Sequence, residues 1–224
     1  MKKSKMFYLI LVISISISSI FLAFGDNIQN LLFDSGYDLG SELKSIYEKS
    51  NSSKNLNIVA YVNDIPVYEH EIIERIQINK AILNAMKAVD SSSSLSWGSN
   101  PFDFVYKEKF ILNYAKTNGI RVSQEELEEY ISIEKASRQS EEAKELFKRY
   151  IDGLGVTEEE FYSEFAPPLY KENIIKSKSR EHIFKSAGMI EKDYKMKQKY
   201  LDKFYKENIK VIEVDKDFIN KYSE

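Results

Sequence analysis

The 224-residue chain has no cysteine, two histidines, one tryptophan, four prolines and eight glycines. Without cysteine there is no disulfide, no thiolate metal ligand, no cysteine nucleophile and no lipidated cysteine behind an export signal. Two isolated imidazoles, His70 and His182, do not supply a histidine-rich metal centre or the positioned base that a serine nucleophile needs. The glycines are scattered. They form neither a phosphate-cradling loop nor a G-x-S-x-G elbow, so nucleotide use and α/β-hydrolase chemistry are poorly supported. An excess of positive charge is missing too: 32 Lys and Arg face 35 Asp and Glu, which argues against a general nucleic-acid binder.

What is present is concentrated at one end. Met6 to Phe24 read MFYLILVISISISSIFLAF, interrupted only by Ser14, Ser16, Ser18 and Ser19, behind Lys2, Lys3 and Lys5. This is an export signal or a membrane anchor. A run this long favours spanning the bilayer, whereas Ala23 and Gly25 at the −3 and −1 positions suit cleavage before Asp26. In either case the lysines stay inside and the rest is expected outside the cytoplasm. Setting residues 1–25 aside leaves 199 residues with 29 Lys and Arg against 35 Asp and Glu, a balance of −6. That part is acidic, charged and long enough for one domain or a domain with an appendage.

Along the exported part, residues 26–50 space Ile28, Leu31, Leu32, Leu39, Leu43, Ile46 and Tyr47 as an amphipathic helix weakened at Gly36 and Gly40, and residues 51–55 read as a polar linker. Leu56 to Val62 is a strand. Asn63 to Pro66 is a turn, and Val67-Tyr68 completes a short hairpin. Helical spacing then runs from Glu69 to Asp90, ahead of a serine-rich loop, and again from Phe102 to Asn118, where Gly119 is suited to a left-handed cap. Ser123 with Glu126 and Thr157 with Glu160 form two capping boxes, and a helix carrying Leu146 and Tyr150 between them stops at Gly153 or Gly155. Pro167-Pro168 should kink or break the helix that contains Phe161 and Phe165. Leu169 to Phe184 and Glu191 to Asn208 are further helices, and Ile209 to Val214 is a second strand. The expected fold is therefore mainly α with a minimal β-sheet, in which strands near the two ends pair and enclose the helices. The domains expected are residues 1–25 as signal or anchor, 26–55 as helix and linker, and 56–224 as the main domain.

The closest approach to a catalytic motif is His70-Glu71-Ile72-Ile73-Glu74. A helix sets His70 and Glu74 one turn apart, with Glu71 in the general-base place of H-E-x-x-H, but the second histidine is missing. The segment reads as an exposed, charged first turn, and His182 as a surface residue. Clustered carboxylates, Glu125 to Glu129 and Glu158 to Glu160, sit in first helical turns, where they favour the helix dipole without any catalysis. No catalytic residue, metal ligand or cofactor is expected. Charge is uneven, −8 over residues 122–166 and +6 over 170–210. Complementary solvated faces account for it, or the basic helices face an anionic envelope or a polypeptide. Most aromatics lie on inward stripes. Phe110, Tyr114, Tyr130, Phe161, Phe165 and Tyr170 are nevertheless the candidate lining of a groove for apolar, extended peptides, tyrosines above all because of their polar tips.

Three segments together resemble a known family. Val62-Asn63-Asp64-Ile65-Pro66-Val67 followed by Glu71-Ile72 is similar to the V-N-G-x-x-I-T-x-x-E opening of the SurA N-terminal-like domains of extracytoplasmic foldases of the SurA and PrsA kind. Residues 109–131, KFILNYAKTNGIRVSQEELEEYI, resemble their next signature. Residues 147–184 resemble the third, a G-V-T-E-E-E-F helix start leading to a long arm. The likeness spans about residues 56–214 and keeps the family's order. It implies a mostly helical chaperone module, related to the peptide-binding region of trigger factor, that holds unfolded or exported polypeptides in an apolar cleft. Asp64 and Tyr68 stand where the family turn carries Gly and Thr, which removes a side-chain cap from the first helix. Many relatives insert a parvulin prolyl isomerase domain after the arm; only 40 residues follow Phe184 here, so the resemblance implies a module without isomerase activity. The expected partners are unfolded clients and, if Met6 to Phe24 is retained, a membrane. The alternative is a membrane-anchored adaptor that docks one dedicated protein through residues 26–50 or the basic C-terminal helices.

Overall fold

In a computed structural model the residues described are 26–52, 56–89 and 100–222, with side chains described from residue 33 on and, at the end of the first helix, up to residue 49. The apolar run Met6 to Phe24 and the serine-rich loop lie outside them. No helix among the described residues is long and apolar enough to cross a membrane. The elements are α1 (Asp26–Ser52), β1 (Ile58–Val62), β2 (Ile65–Tyr68), α2 (Glu69–Val89), α3 (Pro101–Thr117), α4 (Gln124–Ser137) and α5 (Glu141–Leu154). There follow α6 (Glu158–Glu160), a π-helical turn (Phe161–Phe165), α7 (Ala166–Ser186), α8 (Tyr194–Asn208), β3 (Val211–Glu213) and α9 (Lys216–Tyr222). The protein is mainly helical with one small three-stranded antiparallel sheet. It divides into two compact units, the first built from residues up to 54, 76–97 and 123–171, the second from 55–75, 98–122 and 172–224.

In the first unit α1 packs along α5 through a seam of glycines. A Cβ on Gly40 would fall on the Tyr150 carbonyl oxygen, and one on Gly153 would fall on the Tyr37 carbonyl oxygen. The residues that weaken α1 as an isolated helix are thus the ones that let its backbone meet another, closing Leu39, Leu43, Leu146, Ile151 and Leu154 into the core. Gly155 ends α5 at φ 71°, a left-handed conformation that costs a residue with a Cβ about 1 kcal/mol or more. Ser123 and Thr157 cap their helices with Glu126 and Glu160 in reciprocal capping boxes, as the spacing predicts.

Pro167 and Pro168 do not break the helix. The π turn just before them carries an i→i+5 bond, from the Ala166 N–H to the Phe161 carbonyl oxygen. That wider turn makes room for two rings without N–H groups, and the helix runs on to Ser186.

In the second unit the strand order is β2-β1-β3. Asn63 and Asp64, both at positive φ, form a two-residue turn, so Pro66 belongs to β2 and not to the turn. As an edge-strand residue it forgoes no ladder bond that the sheet needs. β3 returns from near the far end of the chain to pair antiparallel with β1, setting Tyr61 opposite Ile212. Val59, Ala60, Val62 and Val67 are buried, along with Phe102, Ile111, Ile183, Leu201 and Tyr205 from the helices of the unit. Helix α9, which the sequence reading leaves out, caps this sheet with Ile219 buried and Phe218 set edge-on to Phe102 at 6.2 Å. The last long helix begins at Tyr194 because Asp193 caps it by accepting the Met196 N–H.

Gly40→Ala should lower the stability of the first unit by about 2–3 kcal/mol, since the added methyl forces two backbones apart. Urea denaturation followed by circular dichroism measures it; a change within about 0.5 kcal/mol would contradict the seam.

Candidate functional site

The charged first turn of α2 is not exposed. Glu71 is buried, and its carboxylate accepts the Tyr68 N–H at 3.1 Å and pairs with the Lys109 ammonium at 2.7 Å. Glu71 thereby reaches back to a donor that has no partner inside the helix, the cap that the Tyr68 side chain does not supply. His70 stacks on Tyr68 with ring centroids 5.6 Å apart. Among the described residues no three His, Cys, Asp or Glu side chains converge as a metal requires.

Of the six aromatic candidates, Phe110 and Tyr114 lie in the second unit and Tyr130, Phe161, Phe165 and Tyr170 in the first. In the first unit Phe161 and Tyr170 are fully buried. Phe161 meets Phe147 at 5.1 Å and Tyr150 at 6.5 Å, which makes it a core residue, while Tyr130 lies half-buried 5.0 Å from Tyr170. Phe165 is half-buried in the π turn.

These rings surround a polar centre that helix periodicity does not reveal. Glu134 in the last turn of α4 and Arg138 at its C-cap, both buried, pair through two bonds of 2.6 and 2.8 Å, and the Tyr162 hydroxyl donates to Glu134 at 2.6 Å. The Arg138 guanidinium carbon lies over the Phe147 ring, 3.6 Å from its centroid. Tyr170 brings its hydroxyl toward the same carboxylate without hydrogen-bond geometry. Burial pushes the Glu134 carboxyl up despite Arg138, and pushes Arg138 down despite Glu134. Burial, with Glu134 nearby, moves the Tyr130 hydroxyl up to about 12.

In the second unit the aromatics form a strip with an open edge. Phe110 is buried against Tyr205 at 5.8 Å and Phe204 at 6.0 Å. Half-buried Phe204 also touches Tyr114 at 6.1 Å and Tyr200 at 6.3 Å, and Tyr114 and Tyr200 are half-buried as well. The Tyr114 hydroxyl is hydrogen-bonded to Nδ1 of exposed His182 at 2.8 Å. Helices α3, α7 and α8 therefore each contribute to one row, apolar on its faces and polar at its tips. Phe110 and Tyr114 belong to it as the sequence suggests; Tyr200, Phe204 and His182 do not appear among the sequence candidates. The i, i+4 spacing of Tyr200 and Phe204 on a helix is the signal that marks them.

Two buried cations close the inventory of the second unit. The Arg75 guanidinium lies 3.4 Å above Phe104, and burial brings it down to about 10. Lys176 is buried with Glu108 at 2.6 Å and Glu172 at 3.5 Å. Burial, with Arg180 nearby, pushes its ammonium down to about 5. Lys176 is thus held between two carboxylates, one on α3 and one on its own helix α7, away from solvent. What the described surface of the second unit offers is aromatic area with hydroxyl and imidazole tips.

Comparison of the chain with protein families, with curated proteins and with solved structures found no match.

Removing one partner of the buried pair should cost more than removing both. Arg138→Leu is expected to lose about 3 kcal/mol because Glu134 is left buried and unpaired, whereas Glu134→Leu with Arg138→Leu recovers most of it. A double-mutant cycle by urea denaturation reads the difference. For Tyr130 the folded state keeps its proton from the ordinary value of 10.0 up to about 12, while the unfolded chain loses it at 10.0. Stability is therefore lost as pH rises through that window, and Tyr130→Phe should lose less of it than the wild type. Parallel stability curves from pH 10 to about 12 would contradict the assignment.

Proposed function

We propose that the chain is an extracytoplasmic, chaperone-like module, membrane-tethered or secreted, that holds unfolded or exported polypeptides by apolar and aromatic contact and performs no covalent chemistry. The observation that carries the reading is the partly open row of Tyr114, Tyr200 and Phe204 with His182 at its polar edge. Tyrosine offers large contact area at low conformational cost together with a hydrogen-bonding tip, which suits segments of varied sequence. The three segments that resemble the SurA N-terminal-like domains also support it. They fold in turn as a hairpin leading into α2, as the end of α3 with the start of α4, and as the end of α5 followed by α6, the π turn and α7. Absence of isomerase activity remains part of the proposal, on the strength of that resemblance.

A second reading rests on α8, where Tyr194 is 81% and Met196 50% exposed among lysines. Apolar side chains held in water on a basic helix suit an adaptor for one dedicated protein. Pull-down separates the two readings: one partner at fixed stoichiometry favours the adaptor, and many unrelated unfolded proteins favour the chaperone.

The purified chain should slow aggregation of an unfolded protein at near-stoichiometric ratios. Tyr114→Ala with Phe204→Ala should weaken binding of an unfolded polypeptide about tenfold, two ring contacts at about 0.5–1.5 kcal/mol each, with helix content unchanged. Undiminished binding in that variant would remove the strip from the account.

A further inference from the structure

Lysines border the aromatic row of the second unit, and acids do not balance them. On a helix, the residues three and four positions away share a face with a given side chain. For His182 on α7 those positions hold Lys178, Ser179, Lys185 and Ser186; for Tyr200 on α8 they hold Met196, Lys197, Lys203 and Phe204. The same positions around Tyr114 on α3 carry no charge. Those around Phe204 add one acid, Glu207, which pairs with Lys203 at 3.7 Å. Four lysines thus stand against one carboxylate, in a chain whose 35 acids outnumber its 32 bases.

Partners within the unit do not absorb this excess. Lys185 is exposed and Lys197 half-buried, and neither makes an ion pair among the described residues. Glu181 lies one turn before Lys185, yet no ion pair joins them, and Asp202 on α8 accepts a hydrogen bond from Gln198 at 3.0 Å. The row therefore combines recessed rings with a rim of uncompensated positive charge. A flat anionic surface would meet the fully exposed side chains of α8 first, Tyr194, Lys195 and Lys199, and not rings that are half-buried. A wholly apolar segment would leave the lysines without partners, and a basic one would be repelled by them.

We propose, resting on the chaperone reading, that the row takes extended polypeptide segments in which acidic residues flank an aromatic or large aliphatic one. In an extended chain, side chains two positions apart point the same way, about 6.6 Å from each other. The matching pattern is therefore acid-x-apolar-x-acid. The apolar side chain enters among Tyr114, Tyr200 and Phe204, and its two acidic neighbours reach lysines on α7 and α8. Exposed ion pairs are individually weak and are screened by salt, so the lysines choose among segments while the rings supply most of the contact.

The test uses the full chain in a neutral detergent, titrated by fluorescence anisotropy with labelled unfolded peptides of one length. All carry the same phenylalanines and leucines and differ only two positions away from them, where Glu, Gln or Lys stands. The Glu peptide should bind about tenfold more tightly than the Gln peptide, and the Lys peptide more weakly than either. Raising salt from about 0.05 M to about 0.5 M should bring the three together. Lys185→Gln with Lys197→Gln should cut the preference for Glu over Gln to about threefold and leave the Gln peptide's affinity unchanged. Lys195→Gln with Lys199→Gln removes the same charge elsewhere on α8 and should preserve the preference. Equal affinity for the Glu and Gln peptides would overturn the proposal and leave the chaperone reading standing, whereas binding of no peptide would sink both. A preference that survives Lys185→Gln with Lys197→Gln would also overturn it. So would a peptide of Glu and Gly, without apolar residues, that binds as well as the Glu peptide, a result that gives the lysines to any polyanion, an anionic lipid surface included.

Discussion

The second unit depends on β1 being the middle strand of its sheet. β2 joins it through a two-residue turn and β3 joins it from almost 150 positions along the chain. Asn63 ties that junction down: its side chain donates to the Asn208 carbonyl at 2.9 Å and accepts the Lys210 N–H at 2.7 Å. Loop-closure entropy grows only with the logarithm of length, by about 0.6 kcal/mol per doubling, so a closure this distant in sequence is affordable in stability though slow to form. Once β3 is in place, α9 follows within a few residues and seals the sheet with Ile219 and the Phe218 ring.

The first unit is held differently. Its helices meet backbone to backbone along the Gly40 and Gly153 seam, and its interior contains an ion pair where side-chain packing alone could have filled the space. Such a pair adds little net stability because desolvation offsets attraction. It restricts the ways in which α4 can face Phe147 and Tyr162, because any shift strands a charge. The aromatic rings there serve this centre, which explains why Phe161 and Tyr170 are inside while the half-buried strip of the second unit presents its tips outward.

Much of this was legible in the residues themselves wherever the signal was local. The capping boxes at Ser123 and Thr157, the stop at Gly119, the strand ending at Val62 and its return partner near Val211 each rest on neighbours within a few positions, or on a simple β-branched run. What the sequence did not disclose depends on distant partners. Glu71 looks exposed until Lys109 arrives from another helix, and Gly36 and Gly40 look like weak points until α5 lies against them. Pro167 and Pro168 look like breakers because a π turn has no sequence code as clear as a capping box. Of the candidate strip, Phe110 and Tyr114 show as a helical stripe, whereas the lysines around Tyr200 and Phe204 mask their i, i+4 spacing.

The sheet packs on α3, α8 leads into β3 and α9 follows it, and the row from Phe110 to Tyr200 lies on that frame with Tyr114, Tyr200 and Phe204 half-buried. The most direct test places a photo-reactive amino acid at position 200 of the full chain and another at exposed position 128 on α4, then adds an unfolded polypeptide. The account predicts cross-linking at 200 that competing unfolded polypeptide removes, with little at 128. Equal capture at both positions, or none at 200, would contradict it.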